Sequence, residues 1–372
     1  MIKVGDVYKV AEAMVPLYVA LGLGYGSVRW WRIISPEQCE AISRLVSCIT
    51  LPLFTFQFTL HTDPFAMNYR MIGADAISKV LVAALLVAWP SCWRRPGHKD
   101  QQRPSYCWAI TSFSLAQLTN SLVVGVPLVT AMYGPWAQEV LVQLSVVQAI
   151  VWLTLLLFVF ELRKAGCGLF AAAKEAQVAS IEAPPLPASK DVEGPVGKAS
   201  EAPAPAARPS FRALMKVVWL KLALNPNSYA SIIGITWAFL ANRWHFEMPR
   251  IVEGSILIMS KAGTGTAMFS MGLFMALQEK ILACGPRLTA YGMVLKFIAG
   301  PAAMAIGSIA VGLRGEVLHL AIIQAALPQS ITSFIYAREY ELHADVLSTA
   351  VIFGMLVSLP VLVAYYVILG VF

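Results

Sequence analysis

The sequence predicts an all-α polytopic membrane protein with ten transmembrane helices, and three observations lead there. Hydrophobic residues make up 58% of the chain and charged residues 13%, against roughly 25% charged in a soluble domain. The apolar residues gather at 8–28, 38–60, 71–93, 106–133, 137–162, 222–242, 253–276, 288–312, 317–337 and 346–371. Such runs, about 17–25 residues or longer, suffice to cross a bilayer core. One polar segment between the fifth and sixth divides them into five and five. The alternating segments of roughly ten residues that mark a membrane barrel are missing.

Taken in order, the first run has no charged head followed by a small-residue cleavage site, so it reads as a retained helix rather than a signal peptide. The third, Met71 to Ala88, is apolar except at its center, where Asp75 and Lys79 lie one helical turn apart. In lipid each charge costs roughly 2.5–3.5 kcal/mol by insertion scales, so the pair should face the bundle interior or a wet cavity. Either it neutralizes itself and fixes its helix against neighbors, or it belongs to a transport path.

The fourth run holds Asn120, then Ser121, Gly125 and Pro127; in the ninth, Gln324 precedes Pro328, Gln329, Ser330 and Thr332. Proline removes an internal hydrogen bond and glycine permits close backbone approach, so both runs are candidates to break at mid-membrane. A broken helix exposes amide N–H groups and a positive dipole end that hold an anion without a buried lysine. The plainer alternative is a kinked membrane helix. In the sixth and seventh runs Asn225, Pro226 and Asn227, then Glu253 and Lys261, interrupt the apolar pattern.

Basic residues set the orientation. Arg29 and Arg32, then Arg94, Arg95, Lys99 and Arg103, then Arg163 and Lys164, then Lys280 and Arg287, then Arg338 fall on one side. That richer side is expected to be cytoplasmic, with both termini on the other. The net charge of +7 is then a topology signal rather than a sign of nucleic-acid binding.

From about Ala171 to Pro209 the chain is rich in Ala, Pro, Glu and Lys, with EAPPLPASKDVEGPVGKASEAPAPAA at its center. Too few large apolar residues are present to form a core, so a disordered cytoplasmic loop is expected at 166–215. It separates residues 1–165 from 216–372, each with five runs. An odd number per half requires homologous halves to be inverted. Ile77-Ser78-Lys79-Val80 and Val294-Leu295-Lys296-Phe297 hold matching places in the third run of each half.

Cys39, Cys48, Cys92, Cys107, Cys167 and Cys284 show no CxxC spacing, and His61, His98, His245, His319 and His343 are dispersed. Free thiols are expected, with no metal and no cofactor. No nucleophile–base pair stands out in the runs, so the chain does not read as an enzyme.

Several passages are more specific than these patterns. They are VPLYVALGLGYGSVRWWRIISPEQCEAISRLV at 15–46, LPLFTFQF at 51–58, NSLVVGVPLVTAMYG at 120–134 and QAIVWLTLLLFVFEL at 148–162. In the second half they are NPNSYASIIGITWAF at 225–239, MFSMGLFMALQEKILACG at 268–285 and IQAALPQSITSFIYAREYELH at 323–343. In these stretches the chain closely resembles the plant PIN-FORMED auxin efflux carriers, across both membrane halves but not the loop.

The resemblance implies two inverted five-helix repeats with crossover helices 4 and 9, a fold like that of bile-acid symporters and sodium/proton antiporters, in a homodimer. It implies transport of the indole-3-acetate anion by alternating access, against a scaffold formed largely by spans 1, 2, 6 and 7. The family's buried pair matches Asp75 and Lys79, and its carboxylate-binding asparagine matches Asn120. The second crossover's proline and glutamine match Pro328 and Gln329, while pocket-lining positions match Leu51, Thr55, Gln148 and Ile331. One departure stands out: Thr119 precedes Asn120 where the family usually has proline. Threonine keeps an N–H that can bond back to the helix, so a shallower break is expected. The short loop resembles that of members in the endoplasmic reticulum membrane, with the plasma membrane as the alternative. A same-fold carrier of another organic anion or auxin metabolite is the alternative function.

Overall fold

The computed structural model of the chain describes residues 4–60, 65, 67–92, 105–164, 226–278 and 284–371, with isolated positions between 212 and 224. The loop expected at 166–215 lies outside them except at Arg212 and Met215. The described residues form α1 (Val4–Arg29), α2 (Pro36–Leu60), α3 (Tyr69–Cys92), α4 (Ser105–Gln117), α5 (Ser121–Tyr133) and α6 (Pro135–Lys164). The second half forms α7 (Pro226–Trp244), α8 (Arg250–Leu277), α9 (Pro286–Ala310), α10 (Gly315–Ala325), α11 (Ile331–Glu339) and α12 (Ala344–Leu369). The chain is an all-α polytopic membrane protein. Six segments, α1, α2, α3, α6, α9 and α12, are long and apolar enough to cross a membrane, and no sheet forms among the described residues.

Local chemistry explains several boundaries. The Ser35 side chain accepts from the Gln38 amide at 3.3 Å while Gln38 Oε1 accepts from the Ser35 amide at 2.9 Å, a capping box with Pro36 in the first turn of α2. Gly134 and Gly285, at φ 89° and 83°, turn the chain immediately before Pro135 and Pro286, which open α6 and α9. α7 is described from Pro226, with Leu224 before it also helical, and Asn225 lies outside the described residues. Glu253 and Lys261 do not interrupt α8, which runs unbroken for 28 residues. Charge lowers hydropathy, but both residues are good helix formers.

The helices pack in two groups. In one, α1 lies along α8, and α2 packs on both α7 and α8. In the other, α3 packs on α9, α9 on α10, α5 on α6 and α11 on α12, with α1 also touching α5. The α1–α8 contact is made backbone to backbone through two glycines. A Cβ on Gly24 would sit 2.1 Å from the Phe269 carbonyl oxygen, and one on Gly272 would sit 2.0 Å from that of Leu21. Small residues provide this approach because apolar helices in lipid gain little from mere burial and associate by close packing. Gly272→Ala is therefore expected to force the two helices apart at a cost of about 1–3 kcal/mol. A lowered unfolding temperature in detergent, beside no change for Gly265→Ala, whose Cβ would meet nothing within 4 Å, is the measurement. Equal stability of the two variants would refute the close crossing.

Four widened π turns, at Val46–Thr50, Ser121–Gly125, Gln148–Trp152 and Leu295–Ala299, interrupt the regular helices. Such turns gather at functional sites because they aim side chains that a regular helix would place elsewhere. Here they fall in α2, α5, α6 and α9, around one place at the middle of the protein.

Candidate functional site

That place is built where two interrupted helices meet. The last regular bond of α4 is Leu118 N–H to the Ser114 carbonyl, 3.1 Å. Beyond it Thr119 is extended and forms an antiparallel bridge with Gln329, in the gap between α10 and α11. The Asn120 amide donates to the Pro328 carbonyl at 2.8 Å, and the Ser330 amide donates to the Leu118 carbonyl at 3.2 Å. The two gaps thus satisfy each other's backbone, which is what permits non-helical chain deep inside a membrane protein.

Side chains secure the crossing. Gln148, at the head of a π turn in α6, accepts from the Thr119 amide at 3.2 Å and from its hydroxyl at 3.3 Å, and donates from Nε2 to the Thr119 carbonyl at 2.8 Å. The N–H that proline would lack is therefore taken by Gln148 and does not bond back to α4. The expected bond back to the helix is not made, because a glutamine from another helix takes the N–H instead. Gln329 Nε2 donates to the Ser114 carbonyl at 3.0 Å and to Ser333 Oγ at 2.7 Å. The bond to Ser114 is a second one to a carbonyl that already accepts from Leu118, and it ties Gln329 to the end of α4.

Beside the crossing lies a cavity of about 550 Å³, lined by Leu51 and Thr55 of α2, Thr119, Asn120 and Ser121 at the first break, Gln148 of α6, and Ser330 and Ile331 at the second. Leu224, Pro226 and Glu339, just before α7, in its first described turn and at the end of α11, also line it. The amino ends of α5 and α11 border the cavity, bringing partial positive charge to it. The Asn120 side chain is 9% exposed, and its Nδ2 makes no hydrogen bond within the protein. A buried amide donor left unsatisfied costs about 1–3 kcal/mol. A ligand oxygen would remove that cost.

Of the residues picked out in the sequence, Leu51, Thr55, Asn120, Gln148 and Ile331 come together on this cavity. The Gln148 amide is occupied by Thr119, so the residue positions the break as well as lining the space. Pro328 and Gln329 sit behind the cavity wall and hold the crossing. Asp75 and Lys79 are also outside it, buried at 3% and 1% exposure. The Lys79 ammonium donates to both carboxylate oxygens, at 2.7 and 2.5 Å, and stands 5.2 Å from the center of the Trp152 ring. Ser78 of the same helix donates to Gln117 Oε1 at 3.3 Å, tying α3 to the end of α4.

One buried lysine at the crossing, named above only for its matching place, is not among the site residues picked out. Lys296, 1% exposed, donates to the Leu118 carbonyl at 3.1 Å from the π turn of α9. Its signal in the sequence is a lysine in an apolar run at the place matching Lys79.

Comparison with known proteins gives a consistent result. Residues 9–366 match the family described as membrane transport protein. The chain is 64% identical over 368 residues to auxin efflux carrier component 5 of Arabidopsis thaliana, covering 98% of each. It is 63% identical to probable auxin efflux carrier component 5a of Oryza sativa subsp. japonica, covering 99% of each. It is 38% identical to auxin efflux carrier component 8 of Arabidopsis thaliana, covering 98% of each.

Proposed function

The chain belongs to the membrane transport protein family, among its short-loop PIN-type auxin efflux carriers, and we propose that it carries the indole-3-acetate anion across a membrane by alternating access. The observation that carries this is Asn120: a buried amide donor with no partner in the protein, at a helix break, facing a mostly apolar cavity. A carboxylate there takes the Nδ2 proton and the partial positive charge of the α5 and α11 amino ends. The aromatic ring lies against Leu51 and Ile331, as in small-molecule sites generally, where apolar walls give affinity and a few polar groups give orientation.

In this proposal α4 with α5 is span four and α10 with α11 is span nine. Residues 1–165 and 216–372 are then two inverted five-helix repeats, joined by the 166–215 loop. The crossing, with Asp75, Lys79, Pro328 and Gln329, moves against a scaffold of α1, α2, α7 and α8, the separate packing group described above. The cavity reaches helix ends adjoining the Arg- and Lys-rich connections, so this conformation faces the cytosol. The short loop supports placement in the endoplasmic reticulum membrane, moving auxin between cytosol and lumen, and the family resemblance supports a homodimer.

The test is counterflow of labeled indole-3-acetate in proteoliposomes of the purified protein. Uptake driven by internal unlabeled indole-3-acetate is expected. Exchange driven only by other carboxylates would favor a carrier of a different organic anion. No exchange with any of them would overturn the transport reading.

A further inference from the structure

The two matching lysines at the crossing are not equally neutralized. Lys79 has a carboxylate one turn before it, Asp75, and binds both of its oxygens. The position one turn before Lys296 is Gly292. The Lys296 ammonium instead meets the Leu118 carbonyl, the last before the bridge-forming Thr119. The other buried carboxylate among the described residues, Glu161, accepts a hydrogen bond from the Tyr340 hydroxyl. It stands thirteen residues beyond Gln148 on α6, roughly 20 Å along the helix axis. With Lys296 as its ammonium, Asp75, Lys79 and Lys296 sum to one positive charge at the crossing.

We propose that Lys296 is a specificity-determining residue, whose unneutralized ammonium behind the first break makes the adjoining cavity prefer anions to neutral ligands of the same shape. It acts through the field and touches no ligand. Leu118 is one peptide bond from Thr119, which lines the cavity, and the intervening medium is protein, where a charge is screened far less than in water. The location also suits the cation. Leu118 ends the interrupted α4, and the carboxyl end of a helix carries partial negative charge. Lys296 satisfies that end while its full charge exceeds the partial one.

This inference rests on the ligand being a carboxylate, so the experiment compares each carboxylate with its carboxamide. Binding of indole-3-acetate and indole-3-acetamide to purified protein is measured for wild type, Lys296→Gln, Lys296→Arg and Gly292→Asp. The Gly292→Asp change supplies the missing carboxylate while keeping the lysine. A Cβ at Gly292 would meet only the Leu115 side chain, at 3.9 Å, so Gly292→Ala serves as the steric control. Lys296→Gln and Gly292→Asp are expected to weaken binding of the acid by about tenfold or more, as for loss of a nearby charge in a low-dielectric site. Binding of the amide is expected to stay within about twofold, and Lys296→Arg and Gly292→Ala to retain the wild-type preference. A merely structural role would weaken acid and amide alike in Lys296→Gln, and an unchanged acid-to-amide ratio in the folded variants would overturn the proposal. Should wild type bind no indole-3-acetate, the proposed substrate falls; the same comparison with 1-naphthylacetate and its amide, then benzoate and benzamide, reads the charge preference. Absence of an acid preference across those pairs in wild type would also overturn it.

Discussion

Asp75→Asn alone is expected to abolish counterflow and lower the unfolding temperature in detergent more than any other single substitution at the crossing. The ammonium of Lys79 gives up two charge-assisted hydrogen bonds, at 2.7 and 2.5 Å, in a place where both partners are almost fully buried. Removing one member of such a pair costs about 3–5 kcal/mol because the other remains charged and dry. Lys79→Met leaves Asp75 with Lys296 as the remaining cation at the crossing, so a milder loss is expected. The double change Asp75→Asn with Lys79→Gln removes both charges at once and is expected to recover assembly more readily than transport. Thermal unfolding and counterflow, measured on all three variants, check the order. A double variant that is stable and transports at the wild-type rate would make the pair a structural device alone.

How much of this was legible in the sequence depends on whether a feature is local. The breaks at Asn120 and Pro328 are marked where they occur, by Asn, Gly and Pro inside apolar runs. Asp75 and Lys79 are legible for the same reason: two charges one turn apart in such a run have few places to go. Long-range partners are not written this way. Nothing near Thr119 tells that Gln148, 29 residues later, takes its N–H, and residue-type reasoning sends that proton back to the helix instead. Lys296 shows the same limit. Its burial is implied by the apolar residues around it, but its partner, the Leu118 carbonyl, lies 178 residues earlier. A backbone carbonyl leaves no trace in the identity of its residue. The reading of helix ends as the anion-holding groups names no lysine, and the proposed field of Lys296 would add a group that only the fold brings near them. Run seven differs again. There Glu253 and Lys261 sit within one unbroken helix, although hydropathy alone reads them as an interruption.

Asn120→Ala is expected to weaken binding of indole-3-acetate by roughly tenfold to a hundredfold, which corresponds to the loss of one hydrogen bond to a charged group, about 1.5–3 kcal/mol. The fold should tolerate the change. What holds the first break in place is the Asn120 amide on the Pro328 carbonyl, the Thr119–Gln329 bridge and the Gln148 contacts, all of which are independent of the Asn120 side chain. The side-chain nitrogen has no partner in the protein to lose, so unliganded stability should hold or rise slightly as an unsatisfied donor is removed. Opposite signs for stability and affinity distinguish a ligand-binding group from a structural one, which would lower both. Gln148→Ala should behave as the structural case, since it releases the Thr119 peptide on both its N–H and its carbonyl sides. Titration with indole-3-acetate and thermal unfolding of the two purified variants provide the comparison. Unchanged affinity in well-folded Asn120→Ala protein would remove Asn120 from the site and, with it, the observation on which the substrate assignment depends.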